Sequence, residues 1–189
     1  MTADLAAARA NMVESQVRTA DVTDLAIQDA MRVFPRESLL PPSRRGLAYA
    51  DAEIEYAPGR WLLRPMYVAK LLQALRPRPG ESALAIAAPY AAEILRLIGL
   101  SVSRLDEGDL KSVGGTFDLV VCEGAVGATP ESWQGALAPG GRLGVVERDG
   151  PVGRAMLYLR TGSTIGSRSL FDCAAPVMAG FEIARGFTL

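Results

Sequence analysis

The 189-residue sequence contains no histidine and only two cysteines, and 18 of its 20 basic residues are arginine. Without histidine there is no Ser-His-Asp or Cys-His nucleophile, no imidazole general base and no histidine-containing zinc site. Two cysteines, Cys122 and Cys173, supply neither a structural zinc cage nor a disulfide framework. Acidic residues number 21, for a net charge of −1, and the arginines are scattered. That leaves no clustered basic face for nucleic acid. The longest apolar stretches are broken by Arg, Asp or Glu well short of a membrane span. Residues 1–11 lack the basic and apolar regions of a secretory signal, so none is expected. The expected compartment is a reducing cytoplasm, with no nucleic-acid or membrane partner.

What is present is the composition of a globular chain, 49% hydrophobic and 22% charged, long enough to bury a core without metals or disulfides. One domain is expected over 1–189, with a helical extension over 1–79 and an α/β core over 80–189. Leu5, Ala8, Met12 and Val13 share a face at helical spacing, predicting a helix over 4–18. A second helix should start at Asp21 or Thr23 as cap and stop before Pro35. A short strand is possible near Ile54, and a third helix is predicted over 65–75. After the turn at Pro77-Arg78-Pro79-Gly80, strands are predicted over 82–87, 102–105, 117–122 and 142–146, and helices over 91–99 and 130–137. Strand-helix alternation of this kind implies a parallel sheet covered by helices. Residues 155–160 and 164–170 alternate around Thr161-Gly162-Ser163, as an antiparallel hairpin would.

The motifs stand in a recognisable order. Met12-Val13-Glu14-Ser15-Gln16-Val17, Phe34-Pro35-Arg36-Glu37, Leu39-Leu40-Pro41 and Ala48-Tyr49-Ala50-Asp51 come first. Phe117-Asp118-Leu119-Val120-Val121, Pro139-Gly140-Gly141-Arg142-Leu143 and Leu159-Arg160-Thr161-Gly162 follow. Together they resemble the protein-L-isoaspartate O-methyltransferases, a class I family dependent on S-adenosylmethionine. The resemblance implies a doubly wound, mostly parallel Rossmann-like sheet ending in an antiparallel hairpin, with an N-terminal helical extension. It also implies methyl transfer from S-adenosylmethionine to isoaspartyl carboxylates of damaged proteins. Such a reaction needs no imidazole: the carboxylate is already ionised and the sulfonium already activated, so alignment and desolvation suffice.

Three departures from the family pattern bear on that activity. The cofactor loop of the family, an acid followed by Gly-x-Gly-x-Gly, is matched by Leu84-Ala85-Ile86-Ala87-Ala88-Pro89-Tyr90. The acid and the glycines are gone, the loop is shorter, and proline removes a backbone N–H. Only residues 99–116 stand between the first helix of the core and Phe117, room for one strand, so one helix-strand unit is missing and six strands are expected rather than seven. Asp106 is the ribose-binding candidate if that strand is the family's second; otherwise Glu107-Gly108-Asp109-Leu110 ends its third. At the substrate loop, Leu63 stands where the family has serine, and Arg64 is the one charged residue there, either a carboxylate ligand or a surface arginine beside a helix start.

By resemblance, Ala87, Pro89, Tyr90, Asp106, Glu123 and Gly124 occupy the positions of the cofactor pocket, Leu63 and Arg64 those of the substrate loop, and no metal is expected. Two functions remain open. One is a working isoaspartyl methyltransferase binding S-adenosylmethionine and a damaged protein or peptide. The other is a pseudoenzyme with no cofactor that serves as a binding or partner module. A nicotinamide dehydrogenase is disfavoured because no Gly-x-Gly-x-x-Gly follows any strand. If the cofactor pocket is lost, a homodimer is expected to cover the apolar sheet edge it frees.

Overall fold

The computed structural model describes residues 2–183. Helix α1 (Thr2–Met12) passes into a π-helical turn (Val13–Val17) and a 3-10 turn (Arg18–Ala20), so the single helix expected over 4–18 loosens at its end. Helix α2 (Leu25–Val33) is capped by Asp24, whose side chain accepts the N–H groups of Ala26 and Ile27. The cap is therefore neither Asp21 nor Thr23: Asp21 adopts a left-handed conformation and closes the preceding turn. Residues 54–62 form a hairpin, β1 (Ile54–Ala57) and β2 (Arg60–Leu62), of which only the first strand was foreseen. Helix α3 (Pro65–Leu75) has the predicted bounds, with proline at its start and Arg76 as a left-handed cap at its end.

The core strands are β3 (Ser82–Ile86), β4 (Ser101–Leu105), β5 (Phe117–Val126), β6 (Leu137–Arg148), β7 (Gly153–Thr161) and β8 (Thr164–Cys173). They form one six-stranded sheet in the order β4-β3-β5-β6-β7-β8. The pairs from β4 to β6 are parallel, and β6–β7 and β7–β8 are antiparallel. Helix α4 (Pro89–Ile98) links β3 to β4, ending at Gly99 in a left-handed conformation, while α5 (Glu131–Gly135) is shorter than the helix predicted over 130–137. Strand β6 begins earlier than predicted, because Leu137 already pairs with Phe117 ahead of the bend at Gly140 and Gly141.

Strand β5 is buried along most of its length, as a central parallel strand covered on both faces must be. On one face Ala83, Ala85, Leu119 and Val121 share a core with residues of α1, α2, α3 and α4. On the other, Leu84, Ile86, Val120 and Cys122 meet Leu110, Trp133, Met178 and Phe181. At the N-terminal end of these strands the Ser82 N–H and hydroxyl donate to Asp118, both at 2.8 Å. Those bonds hold β3 and β5 in register and draw the Asp118 carboxyl below its ordinary pKa.

Between β4 and β5, residues 106–116 hold no helix or strand. The missing unit leaves β4 at the sheet edge, directly beside β3. That edge is polar rather than apolar. Ser101, Ser103 and Arg104 are exposed, and Arg104 pairs with Asp106 (2.8 Å) and Glu93 (3.7 Å). Charged, short edge strands discourage pairing with another chain. No helix among the described residues is long and apolar enough to cross a membrane.

Candidate functional site

In open α/β sheets ligands gather at the C-terminal ends of the parallel strands. Here Ile86 of β3 lies beside Cys122 of β5 and Leu105 of β4. Ala87, Pro89 and Tyr90 follow β3, Asp106 follows β4, and Glu123 and Gly124 lie in the last part of β5, so all six stand at this end of the sheet.

The loop after β3 is reduced to Ala87 and Ala88. Ala87 has φ of 44°, a left-handed conformation more natural to glycine, and its N–H donates to the Leu105 carbonyl at 2.9 Å. Pro89 then opens α4, at the first helical position, where its missing N–H would be unpaired in any case. The free N–H groups of that first turn are met from inside the protein. Glu123 accepts Ala91 N–H at 2.9 Å and Tyr90 N–H at 3.3 Å, placing a carboxyl at the positive end of the helix dipole. Glu123 is 1% exposed, and Ala87, Ala88, Tyr90, Ala91 and Ala92 are wholly buried. Burial pushes the Glu123 carboxyl up to about 7, against the opposing pull of Arg36, the two N–H groups and Arg104.

The region is closed from both sides. On the N-terminal side, the turn Arg36–Leu39 delivers the fully buried Arg36. Its Nη2 donates to the Leu63 carbonyl at 2.6 Å, and its guanidinium stands 4.7 Å from the centre of the Tyr90 ring. On the other side the segment after β8 crosses the strand ends: Met178 N–H donates to the Ala125 carbonyl, Ala125 N–H donates to the Pro176 carbonyl, and Met178 seats against Gly124. A Cβ at position 124 would lie 2.5 Å from Met178 Cγ. Glycine is needed there for that close approach.

Leu63 is buried and serves as the acceptor for Arg36. Arg64 is not free for a ligand carboxylate: it pairs with Glu53 at 2.9 Å and Asp51 at 3.8 Å and lies over the Tyr67 ring. Asp106 caps the end of β4 and is held by Arg104, with its Oδ1 buried and without a partner. Arg36 and Tyr56 belong to the region but were not among the sequence candidates. Arg36 was visible inside Phe34-Pro35-Arg36-Glu37, whereas Tyr56 carries no motif. The Tyr56 hydroxyl, Tyr90 hydroxyl and Arg36 Nε and Nη1 are likewise buried without partners. Burial pushes both phenols up, and Glu123 adds to the effect on each. Among the described residues no group of three or more acidic or cysteine side chains is placed to hold a metal.

The fold, and the position of this region at the ends of its parallel strands, define a class I methyltransferase-type sheet. No family model matches the chain. A Methylorubrum extorquens protein named protein-L-isoaspartate O-methyltransferase is 31% identical over 184 residues, covering 82% of this chain and 80% of its own. An Aeropyrum pernix protein of the same name is 30% identical, covering 82% and 70%. A Plasmodium falciparum structure of that name, in complex with S-adenosyl-L-homocysteine, superposes with a TM-score of 0.72 at 16% identity, over 90% of this chain and 97% of that one. The chain belongs to the protein-L-isoaspartate O-methyltransferase family.

Proposed function

We propose that this chain is a family member that has given up S-adenosylmethionine and methyl transfer, and that it serves as a binding module on the family scaffold in the cytoplasm. The observation that carries this reading is the burial of the α4 N-terminus by Glu123. A residue that holds a ligand must present surface or a cavity to it, and Ala87 to Ala92 present neither. The side chains of Ala87 and Pro89 take the place of glycines, and the N–H groups that could face a cofactor are spent on Glu123. The residues present do not fit S-adenosylmethionine. At the substrate loop, Leu63 has no hydroxyl and Arg64 is already paired with two acids.

Retained methyl transfer to damaged proteins is the second reading. It draws on Asp106, which follows the strand next to β3 and keeps an unpartnered Oδ1. Calorimetric titration with S-adenosylmethionine and S-adenosylhomocysteine separates the two, together with a methylation assay on an isoaspartyl peptide. The expected result is no heat of binding at millimolar ligand and no methyl ester. A ligand at 100 times its Kd would raise stability by about 2.7 kcal/mol, so micromolar binding would be plain, and it would overturn the proposal.

A further inference from the structure

A second surface lies at the opposite ends of the strands from Glu123. Cross-strand pairing puts Leu157 beside Arg168 and Leu159 beside Gly166 on one face of the β7–β8 pair. On β6 the neighbours in these rows are Gly144 and Arg142. Helix α3 covers the Gly144 end of the face, where Leu75 and Leu71 crowd the glycine. It stops there, and Leu159 is left 43% exposed. Two adjoining hollows of about 320 and 350 Å³ share Leu157, Leu159 and Arg168 in their walls, and together they outline a groove over β7 and β8 that reaches the end of α3.

The part of this groove over β7 and β8 is apolar, and the part beside the end of α3 carries the cations. Arg76 and Arg78, in the turn after α3, stand on one wall and Arg168 on the other. All three are exposed, and among the described residues none forms an ion pair. Arg142, also in the wall, is committed elsewhere. It holds Glu81 through two bonds of 2.9 and 3.1 Å and binds the carbonyls of Leu75 and Arg76. Glu81 is thereby neutralised, and no acidic residue lines either cavity. A chain of net charge −1 has thus left three arginines unpaired around two leucines.

We propose that this groove binds an extended acidic segment of another protein, with carboxylates on Arg76, Arg78 and Arg168 and a leucine-sized side chain on Leu157 and Leu159. The guanidinium fork matches a carboxylate. The apolar floor between the cations suits the alternating side chains of an extended peptide, about 7 Å apart on one face. The sugar-phosphate backbone of a nucleic acid would gain nothing from that apolar floor, whereas a leucine side chain would. The groove is separate from the Glu123 region, so this proposal stands whether or not S-adenosylmethionine binds.

Fluorescence anisotropy of a labelled Asp-Asp-Leu-Asp-Leu-Asp peptide with the full chain provides the test. Saturable binding is expected, weakening as salt is raised because exposed charges are screened. Replacing the three exposed arginines together (Arg76→Glu, Arg78→Glu, Arg168→Glu) should weaken it roughly tenfold or more, and Leu159→Ser should weaken it without altering the salt dependence. The thermal unfolding of each variant confirms that it is folded. The proposal is overturned by an absence of binding at millimolar peptide, or by equal binding to the arginine variant. Equal binding of a leucine-free Asp peptide, or tighter binding of a single-stranded oligonucleotide of the same charge, would also overturn it.

Discussion

Replacing Glu123 with glutamine should stabilise the protein, and increasingly so as pH rises. The Glu123 carboxyl titrates at about 7 in the fold against an ordinary value of 4.5, with burial as the dominant cause. Its raised value means that the folded state holds the proton more tightly than the unfolded chain. Between pH 4.5 and 7 the folded state therefore binds more protons, and stability falls as pH rises through that window. Below pH 4.5 the neutral carboxyl costs nothing extra; above 7 it is ionised in both states and the full penalty applies. Each tenfold difference in proton affinity is worth about 1.4 kcal/mol, so the penalty is about 3 kcal/mol at pH 8.

The charged and titratable groups around Glu123 do not blur this reading. Burial draws the Arg36 guanidinium, from the turn before β1, downward, but a guanidinium starts far above this window. Tyr90 on α4, Tyr56 on β1 and Cys122 on β5 are all pushed up by burial, away from the window. Glutamine has the shape of the protonated acid, keeps an oxygen for Ala91 N–H and never ionises. Urea denaturation of both proteins from pH 5 to 9 should show near-equal stability at pH 5. At pH 8 the Glu123→Gln protein should lead by about 3 kcal/mol, about 6–12 °C in Tm. A difference that does not change with pH would refute the reasoning. So would a variant that loses ground as pH rises, which would mean that Arg36 and the helix N-terminus hold the ionised carboxylate more strongly than burial opposes it.

Three further outcomes follow from the same region and the sheet edge. Arg36→Ala empties buried volume and strips the Leu63 carbonyl and Tyr90 ring of their partner; urea unfolding should register a loss of about 3–5 kcal/mol. Arg36→Met, which refills the space without a charge, should recover most of that, and equal losses in the two variants would count against a packing role. Gly124→Ala drives a methyl into Met178 and should cost about 1–3 kcal/mol by the same assay; a neutral result would mean that the segment after β8 does not press on the strand ends. Light scattering tests the homodimer expected from an uncovered sheet edge. With β4 polar and ion-paired a monomer is the expected result, and a stable dimer that survives high salt would refute it.

Helix α3 and strand β5 were legible because their evidence is local. Pro65 and the leucine spacing define the helix, and an unbroken Phe-Asp-Leu-Val-Val-Cys run defines the strand. The hairpin of β1 and β2 was half missed, since strands of four and three residues are too short for alternation to declare itself. Among the site residues, Ala87, Pro89 and Glu123 could be placed at the strand ends from motif order alone. That Arg64 faces Glu53 and Asp51, or that Tyr56 sits near Glu123, depends on chain folded back over many residues, and spacing carries no record of it.

The sequence by itself determined the family, the six-strand sheet and the absence of glycine from Leu84 to Tyr90. Each is written in the order and identity of neighbouring residues, and local backbone preferences translate those directly into turns, helices and strands. Only the tertiary structure decided what meets the N-terminus of α4. Glu123 is 32 residues from Ala91 in the chain, and its carboxyl reaches the α4 N-terminus only because β3 and β5 are neighbours in the sheet. The groove beside Leu159 has the same origin. Arg76 and Arg168 come together through sheet pairing and the end of α3, and whether an arginine is paired or free depends on which acids the fold brings within reach.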